Sequence, residues 1–222
     1  MILAALDRQQ LADNTLVIFT SDNGCSPQAD FDELASFGHD PSYHFRGHKA
    51  DIFEGGHRVP YIARWPSGLP AGARCDAVIG LQDTLATCAD ILGAELPENV
   101  GVDSFSWLPR VSAGNLNLPV RTSLVHHSIN GSFAIRREQW KLCFCPDSGG
   151  WSAPRPNAKS NADLPPLQLF DLSQDIAEQH NVADAHPDLV KALTEEMREL
   201  IERGRSTPGS ATQNTVPVKW NY

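Results

Sequence analysis

Two oxygen-bearing side chains, Asp22 and Asn23, directly follow the apolar run TLVIFTS at residues 15–21. Such a run favours a strand buried on both faces of a parallel α/β sheet. In open α/β sheets, ligands bind beyond the carboxyl ends of the strands. A carboxylate and an amide are hard oxygen ligands that suit Ca²⁺, or Mg²⁺, better than zinc or copper. Because Asp, Asn and Gly all favour turns, a plain turn is the alternative, and the local pattern alone favours it.

Lys49 lies in FRGHKADIFEGGHRVP, the most basic stretch of the chain. A polar loop that leads into a strand would bring Lys49 back over Asp22 and Asn23. A cation beside a metal ion is useful where both neutralise an anionic substrate. A solvated surface lysine is the alternative.

The bulk composition excludes several classes of protein. The chain has 222 residues, enough for one large domain, and a net charge of -9, which argues against non-specific binding to nucleic acid. No apolar stretch is long enough for a transmembrane segment. The five cysteines form no CxxC pair and define neither a disulfide framework nor a zinc site. The first residues have no signal-peptide pattern and are typical of an amphipathic helix that leads into a strand.

The spacing of apolar and turn residues predicts the elements that position these side chains. The first half contains a long loop at 24–49, a strand at 58–66 and a helix at 83–93 with Asp83 as N-cap. The second half contains a hairpin around Glu138 and Gln139, a mobile surface loop at 146–166, a strand in LQLFDL and a helix at 188–203. The predicted fold class is α/β. Residues 1–120 are expected to be the end of an α/β sheet domain, and residues 121–222 a small antiparallel sheet with one packed helix.

The order of four segments resembles the sulfatase family of the alkaline phosphatase-like superfamily. These segments are LVIFTSDNG with RGHKADIFEGGHRVP, then GVDSFSWLP, GSFAIRREQWKL and LQLFDLSQDIAEQHNVA. The resemblance implies that Asp22 and Asn23 bind the active-site metal, usually calcium, and that Lys49 contacts the sulfate group. It also implies a formylglycine nucleophile made from a Cys or Ser in a C/S-x-P-x-R motif. The hydrated aldehyde of formylglycine attacks sulfur and releases the alcohol. The sulfated hydrate then expels sulfate.

The expected site is incomplete in this sequence. Calcium takes about six to eight oxygen ligands, more than Asp22 and Asn23 supply. The resemblance implies that the family's remaining carboxylates and its formylglycine motif lie upstream, in an N-terminal half that we expect this sequence to lack. The stretch CSPQA begins at Cys25 but has Ala29 where the motif needs Arg, and it follows the metal-binding pair instead of preceding it. We therefore expect an unmodified thiol and no turnover by this chain alone.

Several assignments stay open. The enzyme interpretation is a sulfuric ester hydrolase that acts on a sulfated small molecule or glycan, with specificity loops at 26–46 and 146–166. One alternative is a non-catalytic remnant that binds a metal or a partner, and another is a phosphate or phosphonate ester hydrolase of the same superfamily. The family resemblance implies a periplasmic or extracellular location. Among the other candidates, His126 and His127 are interpreted as a structural or surface pair, with an approach to the substrate as the alternative, and Cys143 and Cys145 as buried thiols.

Overall fold

The computed structural model describes every residue except Asn115, Asn117 and Asn221. Its helices are α1 (Ile2–Arg8), α2 (Phe31–Ser36), α3 (Glu54–His57), α4 (Asp83–Leu92), α5 (Leu108–Ser112) and α6 (Pro187–Arg203). Its strands are β1 (Val17–Thr20), β2 (Tyr61–Arg64), β3 (Leu124–His127), β4 (Phe133–Arg137), β5 (Trp140–Cys143) and β6 (Gln168–Asp171). In this described part of the chain, each helix is too short or too polar to cross a lipid bilayer.

The chain forms two compact units that interleave along the sequence. The first unit contains residues 1–21, 60–121 and 206–209, and the second contains residues 22–59, 122–205 and 210–222. The segment that carries the candidate site residues thus belongs to the same unit as the C-terminal sheet. The functional division of the chain at residue 120 stays a prediction.

Strand β1 of the first unit forms inside the apolar run, but its surroundings differ from the prediction. It pairs with β2 in antiparallel direction, with Thr20 opposite Tyr61. Its residue Phe19 and the cross-strand partner Ile62 are 64% and 61% exposed. The prediction of a parallel strand buried on both faces is therefore wrong for the described residues. A β-branched run specifies strand propensity, whereas pairing direction and burial depend on the elements around it.

Helix α4 confirms the predicted helix, and Gly93 ends it with a φ of 62° in the left-handed region that glycine adopts readily. Asp83 is the first helical residue and not the predicted N-cap. Its buried carboxylate accepts the N–H groups of Gly80 and Phe105, each at 2.8 Å, and forms an ion pair with buried Arg121. Asp83 thus ties the start of α4 to two later segments of the first unit.

The second unit contains a four-stranded antiparallel sheet in the order β3-β4-β5-β6. Strands β4 and β5 form the predicted hairpin, and Glu138 in the link has a φ of 55°. Helix α6 confirms the predicted C-terminal helix, and it buries Leu193 and Met197 against one face of the sheet. The predicted α/β fold class, with a small antiparallel sheet and a packed helix, is confirmed.

The other face of this sheet is covered by the segment before α3. Alternate side chains of a strand point to opposite faces, so Ala134 and Cys143 face away from α6. There they form a second buried cluster with Ile52, Phe53, Cys145, Phe170 and Leu172. Both cysteines are buried free thiols, as predicted, and burial raises the pKa of Cys145 to about 11. The sheet therefore lies between α6 and the chain that carries Lys49.

Two predicted loops contain more structure than expected. The loop at 24–49 includes α2, whose N-cap Asp30 accepts the Glu33 N–H at 3.1 Å. In the predicted surface loop, Asp147 and Ser148 are buried, and the Ser148 carbonyl accepts the Ile52 N–H at 2.8 Å. The surface-loop prediction is therefore wrong for these two residues. Residues that favour turns indicate that a segment forms a loop. They do not indicate whether other segments of the chain bury that loop.

Candidate active site

Asp22 and Asn23 open the second unit, next to a closely packed piece of backbone. The Gly24 N–H donates to the Gly56 carbonyl oxygen at 3.0 Å. A Cβ atom at Gly24 would lie 1.7 Å from the carbonyl oxygen of Gly55, so only glycine permits this approach. Asp22 is exposed and Asn23 is partly buried. The carboxylate of Asp22 is therefore open to a ligand beside a fixed backbone.

The structure brings the backbone of Lys49 to the segment that follows Asn23. The Lys49 N–H donates to the carbonyl oxygen of Cys25 at 3.0 Å. The next residue, Ala50, has a φ of 84°, in a region that residues with a Cβ atom rarely adopt. Its carbonyl oxygen accepts the Ile129 N–H at 2.9 Å. A strained turn held by the C-terminal part of the unit thus fixes the chain at Lys49.

The cationic side chains near Lys49 are held by other groups of the protein. Acidic or aromatic groups of the protein hold the side chains of Arg46, His48 and Arg58. The Arg46 guanidinium, for example, donates to the Glu178 carbonyl oxygen at 2.8 Å and lies 3.8 Å from the centre of the Phe53 ring. Among the residues that the structure describes, Lys49 has no ion-pair partner. It is therefore available to an anionic ligand.

Asp51 fixes the other end of the Lys49 turn. Its fully buried carboxylate accepts the N–H groups of His48 at 2.9 Å, Trp151 at 2.7 Å and Ser152 at 3.0 Å. Hydrogen bonds of this kind compensate the cost of burying a charge. Asp51 thereby joins the turn to the loop at 146–166, one of the two loops predicted to set specificity.

An open cavity of about 590 Å³ lies beside His48. Both predicted specificity loops contribute to its wall, with Phe31, Asp32, Asp40 and Phe45 from one loop and Ser152 from the other. The wall thus combines aromatic rings with acidic and hydroxyl groups. This combination suits a ligand that has both apolar faces and hydroxyl groups.

Two histidines near this segment, His57 and His126, contact each other. The ring centroids of His57 and His126 lie 4.2 Å apart with the ring planes tilted by 49°, and His126 Nε2 lies 3.3 Å from the Ile52 carbonyl oxygen. Burial, with the nearby charge of Lys141, lowers the pKa of His57 to about 4 and the pKa of His126 well below its ordinary value. Both rings are therefore neutral at neutral pH. These contacts favour the structural interpretation of His126.

The predicted metal ligands fit a hard cation in kind but not in number. Asp22 and Asn23 offer oxygen atoms, as calcium or magnesium requires. Within the described residues, no group of three or more His, Cys, Asp and Glu side chains is placed to hold a metal ion. As ligands of such a cation, the two side chains would supply only part of the oxygen atoms that it requires.

Cys25 has a structural place in the turn. It is a partly buried free thiol whose Sγ lies 3.8 Å from the Ser26 carbonyl oxygen. A short 3-10 turn at Pro27–Ala29 follows it. Its own carbonyl oxygen accepts the Lys49 N–H. The backbone of Cys25, and not its sulfur, connects it to the candidate site.

One buried group close to the site was not found from the sequence. Lys141 in β5 is fully buried, and its ammonium nitrogen lies 3.1 Å from Glu54 and 2.9 Å from Glu178. The one available signal is a lysine between the apolar residues Trp140 and Leu142 of a strand. No pattern in the sequence indicates which carboxylates such a lysine meets.

Comparisons with known proteins identify the sequences and structures that this chain resembles. The sequence profile of the sulfatase family matches residues 1–94. An N-acetylgalactosamine-6-O-sulfatase of Bacteroides thetaiotaomicron is 33% identical over 208 residues, which cover 91% of this chain and 39% of the relative. Arylsulfatase K of Canis lupus familiaris is 31% identical over 230 residues, covering 99% of this chain and 37% of the relative.

A solved sulfatase structure from work on glycosaminoglycan metabolism by Bacteroides thetaiotaomicron superposes with a TM-score of 0.75 at 32% sequence identity. The superposition covers 90% of this chain and 41% of that protein. The fold is therefore the alkaline phosphatase-like fold of the sulfatases. The chain belongs to the sulfatase family, and it spans about two fifths of the length of the relatives that it matches.

Proposed function

We propose that this chain is part of a sulfuric ester hydrolase in which Asp22 and Asn23 bind a metal ion, calcium or magnesium, and Lys49 contacts the sulfate group. The observation that carries the proposal is the hydrogen bond between the Lys49 N–H and the Cys25 carbonyl oxygen. It supports the proposal because it joins the backbone of Lys49 to the segment that directly follows Asp22 and Asn23. A cation and a metal ion held in this way are suited to binding a sulfate dianion or monoester.

The proposed chemistry divides between this chain and other groups. A bound metal ion would stabilise negative charge on the sulfate oxygens. Asp22 and Asn23 would hold this metal ion, and Lys49 would add a second positive charge for those oxygens. The formylglycine nucleophile has no C/S-x-P-x-R motif in this sequence. The isolated chain is therefore expected to bind without turning over a sulfate ester.

The proposed substrate is a sulfated glycan or a small sulfated molecule. The aromatic and acidic wall of the cavity beside His48 supports this class, because aromatic rings and carboxylates together contact the faces and hydroxyl groups of sugars. One relative is an N-acetylgalactosamine-6-O-sulfatase, which also supports a glycan. The proposed location is periplasmic or extracellular, by family resemblance, and cell fractionation would check it.

The test compares the isolated chain with the chain extended by its upstream reading frame, coexpressed with a formylglycine-generating enzyme. Both are assayed with p-nitrophenyl sulfate and calcium. We expect turnover by the extended protein alone, reduced at least 100-fold by Lys49→Ala, in line with the loss of a charge-stabilising group. Lys191→Ala, an exposed lysine on α6, is the control with the same change in charge.

The alternatives predict different results. An upstream frame without a C/S-x-P-x-R motif and paired aspartates, or an extended protein without turnover, would favour a non-catalytic remnant that binds a metal or a partner. If the extended protein hydrolyses p-nitrophenyl phosphate or a phosphonate ester faster than the sulfate ester, it is a phosphate or phosphonate ester hydrolase and not a sulfatase. Turnover by the isolated chain that is lost in Lys49→Ala would contradict the need for further groups.

A further inference from the structure

We propose that a buried ionic cluster beneath the C-terminal sheet, the Glu54–Lys141–Glu178 cluster, positions the candidate active site. Its three members are 3% exposed or less. All three members lie outside the proposed metal and sulfate ligands Asp22, Asn23 and Lys49. The inference rests on the proposed function in one respect: only that function makes the segments held by the cluster an active site.

The cluster is closed by direct contacts. Lys141 Nζ lies 2.9 Å from Glu178 Oε1 and 3.1 Å from Glu54 Oε1. The backbone N–H of Glu54 donates to Glu178 Oε2 at 2.6 Å. Arg136 Nη1 adds a second cation, 3.2 Å from Glu54 Oε2. The two carboxylates thus share one lysine and are also joined by the start of helix α3.

The charges of the cluster depend on each other. Burial opposes ionisation of Glu54, but the charges of Lys141 and Arg136 outweigh it and hold the pKa of Glu54 below its ordinary value. Burial would lower the pKa of Lys141, but Glu178 and Glu54 outweigh it and raise that pKa. Burial raises the pKa of Glu178, which Lys141 only partly offsets. Removing the lysine therefore leaves two buried carboxylates without their counter-ion.

Helix α3 transmits the position of the cluster to the site. Glu54 is its first residue, and the carbonyl oxygen of Gly56, two residues later, accepts the Gly24 N–H beside Asn23. The Gly55 N–H donates to the Arg46 carbonyl oxygen at 2.8 Å. Two segments that precede the Lys49 turn, at Gly24 and at Arg46, are thus both hydrogen-bonded to α3.

A second path leads from the cluster to the Lys49 turn. The carbonyl oxygen of Glu178 accepts a hydrogen bond from the Arg46 side chain at 2.8 Å. Glu178 therefore holds α3 through its carboxylate and the approach to Lys49 through its backbone. Buried ion pairs add little stability compared with apolar side chains of the same volume. Directional contacts at two segments instead point to a role in geometry.

The test measures amide hydrogen exchange by NMR on the intact chain. Lys141→Met removes the counter-ion, and Glu178→Gln removes one charge while keeping an acceptor for the Glu54 N–H. We expect the exchange rates of the Gly24 and Lys49 amides to rise at least tenfold relative to amides in β3–β6 in both variants, because the site opens locally. Lys141→Arg, which keeps the positive charge, should restore most of the protection.

The control is Leu193→Ala, which weakens the opposite face of the sheet without touching the cluster. It should raise exchange in the sheet and α6 at least as much as at Gly24 and Lys49. A uniform change, or no change, in Lys141→Met and Glu178→Gln would overturn the proposal. If Lys141→Met does not fold, Glu178→Gln decides the question alone.

The exchange result is independent of catalysis. Selective loss of protection at Gly24 and Lys49, together with an extended protein that hydrolyses no ester, would reject the proposed function and keep the positioning role. Turnover that depends on Lys49, together with a uniform change of exchange in the variants, would keep the proposed function and reject the positioning role.

Discussion

The backbone N–H of Lys49 lies 3.0 Å from the carbonyl oxygen of Cys25, so the candidate sulfate ligand and the candidate metal ligands share one folded element. This element forms because Gly24 can pass directly against Gly55 and Gly56. Its geometry therefore depends on backbone packing more than on the side chains that would do the chemistry.

Replacement of Gly24 tests this dependence. A Cβ atom at this position would meet the Gly55 carbonyl oxygen at 1.7 Å, so the backbone segments would have to move apart. We expect Gly24→Ala to lower the free energy of unfolding by about 3 kcal/mol. Urea denaturation followed by circular dichroism measures the change.

Gly38→Ala is the matched control. Gly38 has a φ of 72° and no atom within 4 Å of an added Cβ. Alanine there should lower the free energy of unfolding by about 1 kcal/mol, because only its left-handed backbone conformation is unfavourable. Equal losses in the two variants would show that the close approach at Gly24 does not constrain the fold.

Stability should fall as the pH is lowered below neutral, because His57 is held neutral. Its folded pKa is about 4, against about 6.5 in an unfolded chain, so the unfolded state binds the proton first. The contribution is complete above pH ~6.5 and is lost as the pH falls through ~4. It amounts to roughly 2 kcal/mol, since partial exposure of the ring screens part of the effect.

His57→Gln should reduce the stability difference between pH 7 and pH 5 in urea denaturation. His39→Gln, at an exposed histidine, should leave the difference unchanged. An unaltered pH dependence in His57→Gln would show that His57 is not the group that titrates.

Calcium should bind weakly to the isolated chain. Asp22 and Asn23 supply two ligand side chains where calcium takes about six to eight oxygen atoms. We expect a Kd of about 1 mM or weaker by isothermal titration calorimetry, further weakened by Asp22→Asn. Asp184→Asn changes an exposed carboxylate and serves as the control. Micromolar binding that Asp22→Asn abolishes would mean that this chain supplies additional ligands.

Cys25 should remain an ordinary thiol. Its stretch, CSPQA, lacks the arginine of the formylglycine motif, and its backbone is part of the Lys49 turn. Peptide mass spectra of protein coexpressed with a formylglycine-generating enzyme should show the cysteine mass at this position. An aldehyde at Cys25 would place the nucleophile in this chain and contradict the proposed division of the site.

The sequence predicted the elements whose signals are local. The apolar stripe of α6 and the turn between β4 and β5 identify the helix and the hairpin within single short windows. The order and spacing of segments indicate Asp22, Asn23 and Lys49 as candidate ligands. Their roles as ligands stay predictions.

Sequence patterns did not predict features that depend on distant neighbours. The run at 15–21 predicted a strand, but its antiparallel partner β2 and its exposed Phe19 follow from the surrounding fold. The composition of the loop at 146–166 predicted exposure, whereas Ser148 is buried against the segment of Ile52.

The sequence by itself determined the family, the helices and strands with strong periodicity, and the candidate ligands Asp22, Asn23 and Lys49. Only the tertiary structure decided which distant residues meet beside these candidate ligands. Lys141 meets Glu54 from 87 positions away, and Glu54 meets Glu178 from 124 positions away. No local preference encodes such pairs, because their energy exists only once the sheet and helix α3 have excluded water from around them.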